Sequence, residues 1–128
     1  MITILALLSA TLHGAIAVFQ LLLVAGKPWG EYAWGGQNKG VLPLGFRIGS
    51  LFSILILLSF AWVNLATAAL VPLPLAEFPL VTAQKIVTGY AALGVLMNSI
   101  SRSRKERLLW TPVCTVLLAL NATLLWYR

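Results

Sequence analysis

Four long apolar runs divide the chain, and none of them alternates polar and apolar residues with a period of two. The first covers about 2–25 and stops at Gly26-Lys27-Pro28. The second covers about 44–71 and stops at Pro72 and Pro74. The third begins at Pro79 and continues to about 100, and the fourth covers about 108–126. A helix needs about 20 apolar residues to cross the hydrocarbon core of a bilayer, and each run supplies that length. Continuous apolarity predicts helices rather than the strands of a membrane barrel. The expected fold is all-α: one membrane-embedded domain of four transmembrane helices in up-down order. Loops 26–43 and 101–107 are expected on the same side of the membrane.

Composition agrees with lipid as the solvent. Of the 128 residues, 60% are hydrophobic and 9% are charged, too few polar groups to cover a water-soluble core of this size. The net charge of +6 would raise nucleic acid as a partner in a soluble chain. Here the basic residues sit at the ends of apolar runs, so topology explains them and no nucleic-acid partner is expected. The single cysteine, Cys114, allows neither an internal disulfide nor a cysteine-rich metal site. No Lys or Arg precedes the first run, so residues 2–25 read as a retained span rather than a cleaved signal.

The placement of charge predicts an orientation. Lys27, Lys39 and Arg47 flank one loop, and Arg102, Arg104, Lys105 and Arg107 flank the other. Seven of the nine basic residues therefore share a side, which the positive-inside rule makes cytoplasmic. Both termini are then expected outside. Trp110 and Trp126 bracket the fourth span, about 24 Å apart along a helix, and are expected in the two interfacial belts. Trp29 and Trp34 are expected as anchors in the inner belt.

Polar residues inside spans are the candidate chemistry. Layered by depth, His13, Ser59 and Tyr90 fall in the middle. Gln20, Ser53 and Asn98 fall toward the inner side, and Ser9, Asn64, Lys85 and Asn121 toward the outer. Ser9, His13 and Gln20 share one helix face, which should turn toward the other helices. His13, Gln20, Tyr90 and Lys85 are thus candidates for ligand contact or proton coupling. The plainer alternatives are an interhelical hydrogen bond from His13 to Tyr90, Ser59 or a carbonyl, and a snorkelling Lys85. Arg47, Arg102, Arg104, Lys105 and Arg107 are candidate contacts for anionic lipid headgroups, with topology and anchoring as the alternatives. Glu31, Glu77 and Glu106 all fall in or beside loops, and Glu106 is placed to pair with Arg102 or Arg47. Ala6, Ala10 and Gly14, and likewise Gly45, Gly49 and Ser53, recur every four residues and allow close helix packing.

The stretch PWGEYAWGGQNKGVLP, residues 28–43, is the most distinctive part of the chain. Its glycines permit tight turns, and Gly35 to Asn38 offer amides to an anion. A compact turn anchored by tryptophan and a segment that dips back into the membrane are both open. PWG, AWGGQ and LP, then Arg47 with Ser50, Asn98, SRSRKER and W-x-P, resemble a group of small bacterial four-helix membrane proteins of uncharacterised function. The resemblance implies four spans in a bacterial inner membrane. It carries no activity, ligand or site residue.

Hydrolytic and redox chemistry lack their usual parts. There is no flanked nucleophile, paired membrane carboxylate, histidine cluster or nucleotide loop. No catalytic residue, metal or cofactor is expected. The leading expectation is a non-enzymatic accessory or scaffold protein that binds lipid or another membrane protein. The alternative is a small homo-oligomeric transporter or channel with a polar stripe centred on His13. A wet cavity reaching Gln20 or Lys85 would favour transport, and a sealed stripe would favour a scaffold.

Overall fold

The computed structural model describes residues 1–74 and 78–128. Its elements are four helices, α1 (Ile2–Val24), α2 (Leu44–Thr67), α3 (Leu80–Ser99) and α4 (Arg104–Trp126), with two single 3₁₀ turns between α1 and α2. The helices contain 23, 24, 20 and 23 residues, hence about 30–36 Å each, enough to cross the core. Between 17% and 22% of each apolar stretch is buried inside the bundle. The remainder faces outward, as lipid requires.

The helices pack as two antiparallel hairpins, α1 with α2 and α3 with α4, and the hairpins meet along thinner α1–α4 and α2–α3 contacts. One end of the bundle, here the loop end, carries residues 25–43 and 100–103. The other, the terminal end, carries both termini. There Arg128 donates to the Thr67 carbonyl, and Trp62 Nε1 donates to the Pro72 carbonyl at 2.8 Å.

Two helix boundaries differ from expectation. α2 ends at Thr67 rather than near 71. Leu70 N–H returns to the Leu65 carbonyl at 3.0 Å and Ala69 N–H to Ala66 at 2.9 Å, the double hydrogen bond of a Schellman stop. That stop needs a left-handed residue. Gly26 supplies it after α1, whereas Ala69 is driven to φ +57 after α2. α4 begins at Arg104, four residues before the expected start. Ser103 caps it by accepting the Glu106 N–H at 3.2 Å. Most of the basic run expected in a loop therefore forms the first turn of a helix. Glu77 lies outside the described residues.

The loop 26–43 folds over the end of the bundle. Gly30 N–H donates to the Gly40 carbonyl at 2.8 Å and closes the loop on itself. Ala33 and Leu42 drop onto Leu23 of α1, with Phe19 and Phe46 packed around them, and form a small apolar core under the loop. The loop is a cap with its own core.

Candidate functional site

The polar residues of the four helices separate into two groups. At the terminal end, five side chains from all four helices form one buried network. Gln84 of α3 is its hub. Its amide nitrogen donates to Asn64 Oδ1 at 3.1 Å and Asn121 Oδ1 at 3.2 Å, while its oxygen accepts from Thr67 Oγ1 at 2.9 Å. Asn64 Nδ2 donates to Ser9 Oγ at 3.0 Å, and Ser9 reaches Asn121 Oδ1 at 3.4 Å. Ser9, Asn64, Thr67, Gln84 and Asn121 are all fully buried. Each of the five finds a partner, as buried polar groups must in a medium without water. The network closes this end of the bundle.

His13 sits at its inner edge, 2% exposed. Nδ1 lies 2.9 Å from the Ser9 carbonyl, which can only accept, and 3.4 Å from Asn64 Nδ2, whose shorter bond is to Ser9 Oγ; the closer contact assigns the proton to Nδ1. In the neutral ring Nε2 is then an acceptor. Phe60 stands edge-on to the ring at 5.9 Å, and Tyr90 packs on Phe60 at 5.0 Å. Of the partners expected for His13, a carbonyl is the one observed. Tyr90 packs its ring on Phe60, and Ser59 turns outward to the Leu55 carbonyl.

Beyond His13, toward the loop end, the two hairpins part around a cavity of about 660 Å³. His13 and Gln20 of α1, Tyr90 of α3 and Trp110 of α4 line it, and Trp34 and Glu106 stand where it meets the loop. It opens outward beside α3, where Leu93 and Met97 line it and are 53% and 56% exposed. None of the five network residues lines the cavity, whereas the exposed apolar side chains of α3 do.

The cap forms its floor. Trp34 Nε1 donates to Ser50 Oγ at 3.1 Å, and the indole lies flush on α2 at Gly49, where an added Cβ would stand 2.8 Å from the ring. Trp110 Nε1 donates to the Tyr32 carbonyl at 2.6 Å and its ring meets Phe19 at 4.8 Å. Both tryptophans hold the cap to the helices, a more specific task than the expected interface anchoring. Trp29 stacks on Phe19 at 6.2 Å with Lys27 above it. Trp126, 87% exposed, has the surface position of a belt residue.

Glu106 is 8% exposed. It accepts from Ser101 Oγ at 2.6 Å and from Gly35 N–H at 3.3 Å, so it joins the two loops. It pairs with neither Arg102 nor Arg47, contrary to expectation. Arg47 instead caps α1, with Nε and Nη2 both on the Val24 carbonyl at 2.9 and 2.6 Å. Arg107 donates to the Ser101 carbonyl at 2.6 Å. These two arginines are spent inside the protein. Arg102, Arg104, Lys105 and Lys39 surround a surface cleft of about 430 Å³ on the outer side of the same loops. Lys105 is paired with Glu31; the hydrogen bond and its charge pull the Glu31 carboxyl below its ordinary range and hold the Lys105 ammonium above its own.

Of the span candidates, His13, Gln20 and Tyr90 share the cavity, and Lys85 does not. Lys85 is exposed, and its neighbour Gln84 occupies the interior. Gln84 and Thr67 are the residues that sequence reasoning missed. The signal for Gln84 was its face: with Val87 and Ala91 it marks the buried stripe of α3, and Lys85 is a hundred degrees away. The pieces of the distinctive motif also converge. Trp34, Gly35, Arg47, Ser50, Glu106 and Trp110 all meet at the loop end. No family model, curated protein or solved structure matches the chain. Function is therefore argued from the site itself.

Proposed function

We propose that this multi-pass membrane protein is a non-enzymatic binder of a small amphiphile, which it takes from the cytoplasmic half of the bilayer. One observation carries the reading: a cavity large enough for a small ligand, walled mainly by apolar and aromatic side chains, and lined on its α3 side by exposed Leu93 and Met97. The charge bias puts the loop end, and with it the cavity, on the cytoplasmic side. The basic cleft outside the cap faces the headgroups of the same leaflet, with Arg102, Arg104 and Lys39 available to phosphate. No nucleophile stands beside a base in the cavity, which supports binding over catalysis.

The test is occupancy. Native mass spectrometry of protein extracted gently from its own membrane should find a small molecule at a fixed ratio to the chain. Ser53→Phe, which places a ring in the cavity wall, should remove it while the protein stays folded. A bare chain in both forms would end the reading. A second reading, an oligomeric carrier, draws on the same cavity. It requires the Gln84 network to part, and flux of the bound molecule in proteoliposomes, abolished by the same variant, would support it.

A further inference from the structure

We infer that the cavity is built for a cationic occupant: an alkylammonium group carried on an apolar body, with Glu106 as its counter-charge. The inference rests on the binding reading above and names the chemistry of the ligand.

The cavity wall is unbalanced in donors and acceptors. Most strong donors on the cavity wall are already committed. Trp34 Nε1 goes to Ser50, Trp110 Nε1 to the Tyr32 carbonyl and Ser53 Oγ to the Gly49 carbonyl. Asn98 Nδ2 goes to the Gly94 carbonyl, Ser101 Oγ to Glu106 and His13 Nδ1 to the Ser9 carbonyl. The Gln20 amide nitrogen, the tyrosine hydroxyls and the weak Cys114 donor are the exceptions.

The acceptors are in the opposite condition. Gln20 Oε1 has no partner and no exposed surface, so a ligand in the cavity reaches it once the side chain turns. His13 Nε2 presents a lone pair, since its proton is on Nδ1. A carboxylate can accept about four hydrogen bonds, and Glu106 receives two. The remaining polarity is that of the aromatic faces of Phe19, Tyr32, Trp34 and Trp110, which attract cations.

The charge at Glu106 makes the same point. A carboxylate buried to this degree is ordinarily paired with a cation. Among the described residues no Lys, Arg or His side chain reaches Glu106, and the one ion pair is Lys105 with Glu31. Arg107, one position along, donates to the Ser101 carbonyl instead. An ammonium seated against the aromatic rings would supply the missing partner. An anion would meet chiefly lone pairs and ring faces, with the Gln20 amide nitrogen, the tyrosine hydroxyls and Cys114 as its few donors.

The experiment uses the purified full chain in uncharged maltoside micelles. The probes are phenethylammonium, whose N–H groups can serve the free acceptors, and its neutral carbon isostere propylbenzene, read by tryptophan fluorescence and calorimetry. The cation should bind about ten-fold more tightly than the isostere. Glu106→Gln should lower cation affinity about ten-fold and leave the isostere within about two-fold, so retained isostere binding reports an intact cavity. Gln20→Met lies outside the polar network and should weaken the cation alone, which keeps the test decisive if Glu106→Gln fails to fold. Equal affinities for the two probes, unchanged by either variant, would overturn the inference and leave the binding reading standing. Failure of both probes in the parent protein would overturn both. Repeating the titration in nanodiscs identifies the source of the ammonium. Competition by phosphatidylethanolamine, relative to phosphatidylglycerol, assigns it to a lipid headgroup, and its absence assigns it to a free amine. Either result supports the inference.

Discussion

Replacing Gln84 with leucine should be among the most damaging single changes in the membrane interior. The substitution removes the donor to Asn64 Oδ1 at 3.1 Å and to Asn121 Oδ1 at 3.2 Å, and the acceptor for Thr67 Oγ1 at 2.9 Å. Interhelical hydrogen bonds in membranes are worth about 0.6 kcal/mol each on average, so three amount to about 2 kcal/mol. The consequences for the survivors differ. Thr67 Oγ1 keeps the Val63 carbonyl and Asn121 Oδ1 keeps Ser9, but Asn64 Oδ1 is left buried without a donor. That orphan adds about 1 kcal/mol or more. The leucine gains little in return, because transfer from lipid to a protein interior carries almost no hydrophobic drive. The expected total is about 3 kcal/mol. The assay is unfolding in mixed maltoside–dodecyl sulfate micelles followed by circular dichroism. Lys85→Leu is the internal control: one position away and exposed, it should stay within about 0.5 kcal/mol of the parent. A Gln84→Leu variant as stable as the parent, or a Lys85→Leu variant that loses more, would refute the placement of the α3 face. A double-mutant cycle with Asn121→Leu should show coupling, since the two side chains share a hydrogen bond.

Other consequences are smaller. Ala69→Gly should stabilise the protein by about 1 kcal/mol in the same assay, because glycine relieves the left-handed φ of +57 that ends α2. The Glu31–Lys105 pair should hold the cap against α4 between two pH limits. The Glu31 carboxyl is lowered from its ordinary 4.5, so its contribution is present above that value and lost as pH falls through the folded one. The Lys105 ammonium is raised from 10.5, so its contribution is complete below that value and lost as pH rises through the folded one. Protection of amides 30–36 from hydrogen exchange, compared between the parent and Glu31→Gln, should differ only inside that window and shrink in high salt. Finally, Lys39→Cys in a Cys114→Ser background should resist a membrane-impermeant thiol reagent in intact cells. Asn38 is half-buried and Lys39 exposed, which makes 39 the better probe, and labelling there would reverse the proposed orientation.

The sequence by itself determined the helices and their solvent. Runs of apolar residues closed by Pro, Gly and charge can satisfy their backbone in lipid only as helices, so four spans follow from hydropathy alone. Their ends were less legible where a side chain decided them. Ser103 and Glu106 start α4 early, and the Ala69 turn stops α2 before its apolar run is finished. His13 was found because an ionisable group in a span stands out by type. Gln84 is less legible than Lys85, because charge marks a residue by type while side-chain direction around a helix selects what is buried. Only the tertiary structure decided the partners. Arg47 and Arg107 read as surface cations and are bound to backbone carbonyls, while Glu106 reads as a loop residue and stands at the cavity floor. Hydropathy is a sum over one segment. A cavity, a cap or a hydrogen-bond hub is a relation among segments far apart in the chain, and it exists only once their faces are turned toward one another.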